Sequence, residues 1–180
     1  GKTDFTEGGI RVDAYVRWPA AIEAGSRAAD IVHASDLFTT FARVADATDY
    51  IPRDRVIDGI DQTPVLFNGN GHGRRDYVYV YQNELLRAIV KQEWKMHIPA
   101  PGMPAAAAGV YNVYRDPREE HPLIGHSLWS AASFQDMAKR HMLTIKKYPH
   151  NKLGKGKPYE GIENLRPESK ETVRVFASWH

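Results

Sequence analysis

Tyr77, Tyr79 and Tyr81 alternate with Val78 and Val80, and this strict period of two commits the segment to a β-strand. Leu86 to Val90 is a second run and Trp94 to Ile98 a third, separated only by the turn at Gln92-Glu93. Connections this short join antiparallel neighbours, because a parallel pair needs a long crossover. Val110 to Tyr114 is predicted as a fourth strand, reached across the Pro99 to Gly109 loop. The economical arrangement is an antiparallel sheet with one buried face. A covering helix is predicted from Ser133 to about Tyr148, where Phe134, Met137, Ala138, His141, Met142 and Ile145 repeat at helical spacing. Ser133 is its predicted N-cap, Lys146 and Lys147 suit its C-terminal dipole, and Pro149 ends it.

The residues before this sheet read differently. Val12 to Trp18 is predicted as a strand ended by Pro19, after Gly8 and Gly9, which let the backbone turn. Ser35 is a candidate cap for a helix that places Leu37, Phe38, Phe41, Val44 and Ala45 on one face. Asp49 and Pro52 then bring turn chemistry, Asp58-Gly59 marks another turn, and a short helix is expected near Gln62 to Phe67. The glycine-rich stretch Asn68 to Gly73 suggests a boundary, which divides the chain into 1–72 and 73–180. His150 to His180 combines glycines and prolines with scattered apolar anchors, so it is expected to be an extended tail packed against other protein.

Composition describes a folding domain: 180 residues, 42% hydrophobic and 26% charged. No apolar run is long enough for a membrane span, so no membrane partner is expected. The absence of cysteine excludes disulfides and zinc-thiolate sites. Lys139, Arg140, Lys146, Lys147, Lys152, Lys155 and Lys157 put seven positive charges into nineteen residues without an acid. Such a stretch is a solvated face or a site that steers a polyanion. Nucleic acid is not an expected partner, because zinc-finger spacing and an aromatic RNA-binding signature are both missing. The eight histidines show no metal-ligand spacing, and no metal site is assigned to this chain.

The chemistry-bearing pattern lies at the start of the chain: Lys2, then Glu7-Gly8-Gly9-Ile10-Arg11-Val12, then Val16-Arg17-Trp18-Pro19. Four later segments accompany it in order. They are Asp36-Leu37-Phe38-Thr39-Thr40, Ile57-Asp58-Gly59-Ile60-Asp61, Glu93-Trp94-Lys95 and Val113-Tyr114-Arg115-Asp116-Pro117-Arg118-Glu119. Together they resemble the sulfatases of the alkaline-phosphatase-like superfamily, with Asp13 and Ala20 standing where the family pattern has Pro and Gly.

That resemblance implies an α/β parent fold of which this chain is an α+β C-terminal part, with a strand and helix of the main layer followed by the antiparallel sheet. It implies that Lys2 contacts the sulfate group and is catalytic in the parent. Glu7 and Arg11 are candidate catalytic residues, but the plainer expectation is an ion pair that supports the site loop. His97, at a strand end before a long loop, is a candidate substrate contact beside its plain reading as a polar strand end. The parent is expected to use calcium or magnesium and a formylglycine made from Cys or Ser, neither held by this chain. The expected partners are a missing N-terminal catalytic half and a sulfated small molecule or glycan, and the chain alone is expected to be inactive. Periplasmic or secreted localisation follows from the same resemblance. A phosphodiesterase or phosphonate monoester hydrolase of the same superfamily, or a noncatalytic polyanion-binding domain, are the alternative readings.

Overall fold

The computed structural model describes residues 2–104, 108–123 and 128–149, with side chains from 132 onward in the last stretch. The chain divides into two units, Gly1–Tyr148 and Pro149–His180. The predicted tail from His150, and with it Lys152, Lys155 and Lys157, lies outside the described residues.

Four strands form one antiparallel sheet in chain order: β1 (Tyr77–Gln82), β2 (Leu85–Lys91), β3 (Trp94–His97) and β4 (Val110–Asn112). Two-residue loops join the first three, and their leading residues, Asn83 at φ 55° and Gln92 at φ 51°, lie in the left-handed region. Tight hairpins require that conformation.

Alternation then sorts the side chains onto two faces. On one face the cross-strand row Tyr79, Ile89, Met96 and Val110 packs with Trp94 and Ile98 against Phe134, Met137 and Ala138. These last three belong to α4 (Leu128–Lys147). Tyr79 stacks on His141 of the same helix with ring centroids 3.7 Å apart, and the Tyr81 hydroxyl meets His141 Nε2 at 2.7 Å. On the other face Val78, Val80, Ala88 and Val90 pack against Phe5 and Ile31 from the start of the chain. The sheet is therefore covered on both faces, not on one as its sequence suggested, because the first residues return to lie across it.

The helix α4 also begins earlier than predicted, at Leu128, with Ser133 inside it and not at its cap. No glycine or proline interrupts Leu128 to Ala132, so nothing in that stretch opposes helix propagation. Another adjustment occurs between Val80 and Tyr81, where the register shifts: Val80 faces Ala88 but Tyr81 faces Leu86. The extra residue is Arg87, whose guanidinium turns over the Phe5 ring at 4.4 Å.

The first part of the chain holds the short helices α1 (Glu7–Ile10), α2 (Asp36–Val44) and α3 (Thr63–Asn68). The strand predicted at Val12 to Trp18 is not formed; the segment belongs to no sheet among the described residues, and Val12, Tyr15 and Val16 are exposed. A strand needs a hydrogen-bonded neighbour, and no described strand runs beside it. Gly8 sits in α1 with open space where a side chain would project, so no close approach requires glycine there. Ser35 does not cap α2 with its side chain; its hydroxyl pairs with His33 Nδ1 instead.

Inside the unit, α2 presents polar residues and turns its apolar face outward. Asp36, Thr39 and Thr40 are buried, whereas Leu37, Phe38, Phe41 and Val44 are exposed. Asp36 explains the orientation. It accepts the amides of His33 and Ile60 and a two-pronged contact from Arg75 at 2.6 and 2.8 Å. Burial pushes its carboxyl up, but the Arg75 fork and the two amides outweigh that and hold it below the ordinary aspartate value. Gly59 is required here, since a Cβ would lie 2.3 Å from the Ser35 carbonyl oxygen. The glycine-rich stretch predicted as a domain boundary lies within the first unit. The Asp30 carboxylate ties it down by accepting the amides of Gly71 and Gly73 at 2.8 and 2.9 Å.

Candidate functional site

The site grows from β3. Because side chains alternate, Lys95 and His97 share the face that carries Ala88 and Val90, and so point toward the returning N-terminal segment. Lys95 is fully buried. Its ammonium donates to the Phe5 carbonyl at 2.7 Å, to Glu7 Oε1 at 3.1 Å and to Glu119 Oε1 at 3.1 Å. All three ammonium hydrogens thus have acceptors.

Glu119 comes from the loop after β4, which polar side chains fold back under the sheet. Asn112 Oδ1 accepts the amides of Tyr114 and Arg115, and the Asp116 carboxylate accepts those of Glu120 and His121. These are turn-forming contacts typical of Asn and Asp. Glu119 itself adopts φ 59° and reaches inward, where one carboxylate oxygen accepts the Glu7 amide and the other accepts His97 Nε2. Burial pushes the Glu119 carboxyl up, yet His97, the Glu7 amide and the Lys95 ammonium together hold it below its ordinary value. It is therefore a carboxylate that only accepts, and His97 Nε2 carries the hydrogen.

Around this cluster the sheet grips the first residues at further points. Gln82 Nε2 donates to the Thr3 carbonyl at 3.2 Å, and Arg87 lies over Phe5 while donating to the Ile98 carbonyl and Gln82. The His97 ring meets the Phe5 ring edge-on at 4.9 Å and the Tyr111 ring at 4.4 Å. Lys2 stands just outside, exposed at a turn, and its ammonium has no partner among the described residues.

The sequence-selected residues are thus partly assembled. Glu7 and Arg11 approach to 3.8 Å across α1, but Lys95 is the nearer cation to Glu7, and Arg11 is mostly exposed. His97 is tied to Glu119 and flanked by Phe5 and Tyr111. Lys95 and Glu119 were given no role by the sequence, although each closes one of its motifs. The available signal was the alternation of β3, which places a lysine and a histidine on a face otherwise made of Val78, Val80, Ala88 and Val90. Among the described residues, no group of three or more His, Cys, Asp or Glu side chains is placed to hold a metal ion. The Glu7 and Glu119 carboxylates do not fit calcium or magnesium, because Lys95 already sits between them. A separate open groove, lined by Thr39, Arg43, Thr48, Ile51, Asp61, Thr63 and Arg74, contains none of these residues.

No family model matches the chain. Curated proteins do. The chain is 32% identical over 151 residues to the steryl-sulfatase of Rattus norvegicus, covering 68% of this chain and 26% of that protein. It is 27% identical over 191 residues to the N-acetylgalactosamine-6-sulfatase of Mus musculus, covering 91% of this chain and 35% of that protein. The chain therefore spans about a quarter to a third of the length of these relatives. Among solved structures, the PsFucS1 sulfatase from Pseudoalteromonas sp. aligns with TM-score 0.59 and 28% identity over 66% of this chain and 27% of its own. A protein solved with its substrate D-glucosamine-2-N,6-O-disulfate shares the fold, with TM-score 0.56 and 23% identity over 77% of this chain and 29% of its own. The four-stranded sheet with its helices is an α+β part of that alkaline-phosphatase-like architecture. The chain belongs to the sulfatase family and corresponds to the C-terminal portion of its members.

Proposed function

We propose that the protein carrying this chain hydrolyses sulfate esters and that Lys2 contacts the sulfate group during the reaction. The observation that carries this reading is the exposed Lys2 on a loop whose next residues are pinned by buried charges, in a chain whose relatives are sulfatases. An ammonium at that position offsets charge on the ester and on the developing leaving oxygen, and a charge-assisted hydrogen bond is worth about 1.5–3 kcal/mol. Glu7 and Arg11 support the loop. His97 joins that support, since its Nε2 and its ring contacts are already engaged within the protein.

Calcium or magnesium, which would polarise the sulfate, and a formylglycine nucleophile from Cys or Ser are assigned to sequence other than these residues. This chain has no cysteine. The outward apolar face of α2, with Leu37, Phe38, Phe41 and Val44, and the exposed Val12, Tyr15 and Val16 suit contact with that remaining catalytic part. A sulfated small molecule or glycan is the proposed substrate, and the periplasm or the cell exterior the proposed location.

The test is turnover of 4-nitrophenyl sulfate by the full-length protein. Lys2→Ala should lower kcat/KM by about 10- to 150-fold, which corresponds to the energy of one charge-assisted bond. Wild-type turnover in that variant removes Lys2 from the mechanism. Hydrolysis of an aryl phosphate diester in preference to the sulfate defeats the sulfatase activity itself.

A further inference from the structure

We propose that Lys95 and Glu119 are positioning residues that fix Lys2 through the backbone of the loop following it; this rests on Lys2 acting at the sulfate. The argument is geometric. Two groups of the Lys2 loop are held by side chains from far along the chain: the Phe5 carbonyl by Lys95 Nζ and the Glu7 amide by Glu119. Those side chains also bind each other at 3.1 Å, and Lys95 binds the Glu7 carboxylate as well, so neither can shift without disturbing the loop.

Burial makes the arrangement specific. Lys95 and the Glu119 side chain are inaccessible to solvent, where a charge retains its place only if paired. An apolar pair would cover the sheet equally well, yet would leave the Phe5 carbonyl and the Glu7 amide without partners. The polar pair therefore does something that packing alone does not: it sets the height and direction of the backbone at residues 5 and 7. Gln82 extends the grip to the Thr3 carbonyl, the residue next to Lys2. Thr3 lies at φ 70°, a conformation a β-branched residue rarely adopts, so the backbone beside Lys2 is strained into its path. A sub-ångström displacement of the ammonium is enough to lower a rate that depends on orientation.

The test uses the full-length protein and 4-nitrophenyl sulfate. Glu119→Gln, nearly isosteric, and Lys95→Met are made alone and together with Lys2→Ala, and amide hydrogen exchange is followed over residues 3–10. Each single variant should lower kcat about tenfold or more while KM stays within about twofold, and should raise exchange in that segment. In the Lys2→Ala background the same substitutions should cost less than about twofold, because the group they position is gone. Losses that multiply in full in that background overturn the proposal, as does unchanged exchange over residues 3–10. If Lys2→Ala is itself fully active, the sulfate-contact role of Lys2 fails and exchange alone decides: faster exchange in Glu119→Gln keeps the clamp, unchanged exchange removes it. Should Lys95→Met not fold, Glu119→Gln carries both readouts.

Discussion

The two faces of one sheet solve burial in opposite ways. Against α4, Ile89, Val110 and Phe134 meet side chains of the same character, and the contact is non-directional. Against the N-terminal loop, apolar Val80, Ala88 and Val90 stop short and a charged cluster takes over, with Lys95 beneath Phe5 and Glu7. The first face gains stability from area. The second gives up part of that gain to desolvation and obtains fixed direction, because hydrogen bonds to ions are short and angular. A sheet that both anchors a helix and aims a loop uses its period of two to keep these tasks apart.

Substitutions can separate the faces. The largest expected effect is Phe134→Ala, which should lower unfolding free energy by about 4 kcal/mol through lost burial and a residual cavity. Urea unfolding measures it, and hydrogen exchange over residues 3–10 at low denaturant should stay as in the wild type. Equal loosening of that loop would break the distinction between the faces. Next is Lys95→Met, expected to cost about 3 kcal/mol because Glu7 and Glu119 remain buried without their cation. Here the loop should loosen before the helix contact does.

A smaller effect comes from pH. Glu119 has a folded-state value below its ordinary 4.5, so its contribution is complete above 4.5 and is lost as pH falls through the folded value. Urea midpoints at neutral pH and near pH 3 should differ less in Glu119→Gln than in wild type, and an equal slope would remove Glu119 from the acid response. The smallest is Gln92→Gly, in the hairpin that belongs to neither face. Relief of its left-handed backbone should stabilise by up to about 1 kcal/mol with no change in the loop.

Much of the sheet was legible because its signals are local. The tyrosine-valine alternation, the turn at Gln92-Glu93 and the spacing of Phe134, Met137, Ala138 and His141 each depend on residues within a few positions of one another. The strand predicted at Val12 to Trp18 had the same local credentials and did not form, since a strand also needs a neighbour, which no local pattern supplies. The α2 helix was legible as an amphipathic element, but its direction was not. Asp36 inverted the expected burial by binding Arg75 and Ile60, thirty-nine and twenty-four positions away.

The motif beginning at Lys2 was visible as a sequence, and with it the family. What holds the motif was not. Lys95 reaches Phe5 across ninety positions and Glu7 across eighty-eight, and Glu119 meets the Glu7 amide across one hundred and twelve. The sequence by itself determined which strands pair, where the second hairpin turns and which residues carry charge. Only the tertiary structure decided which charges meet, because hydrogen bonding within a sheet follows neighbours in the chain, whereas a buried ion must find its partner wherever the fold brings one.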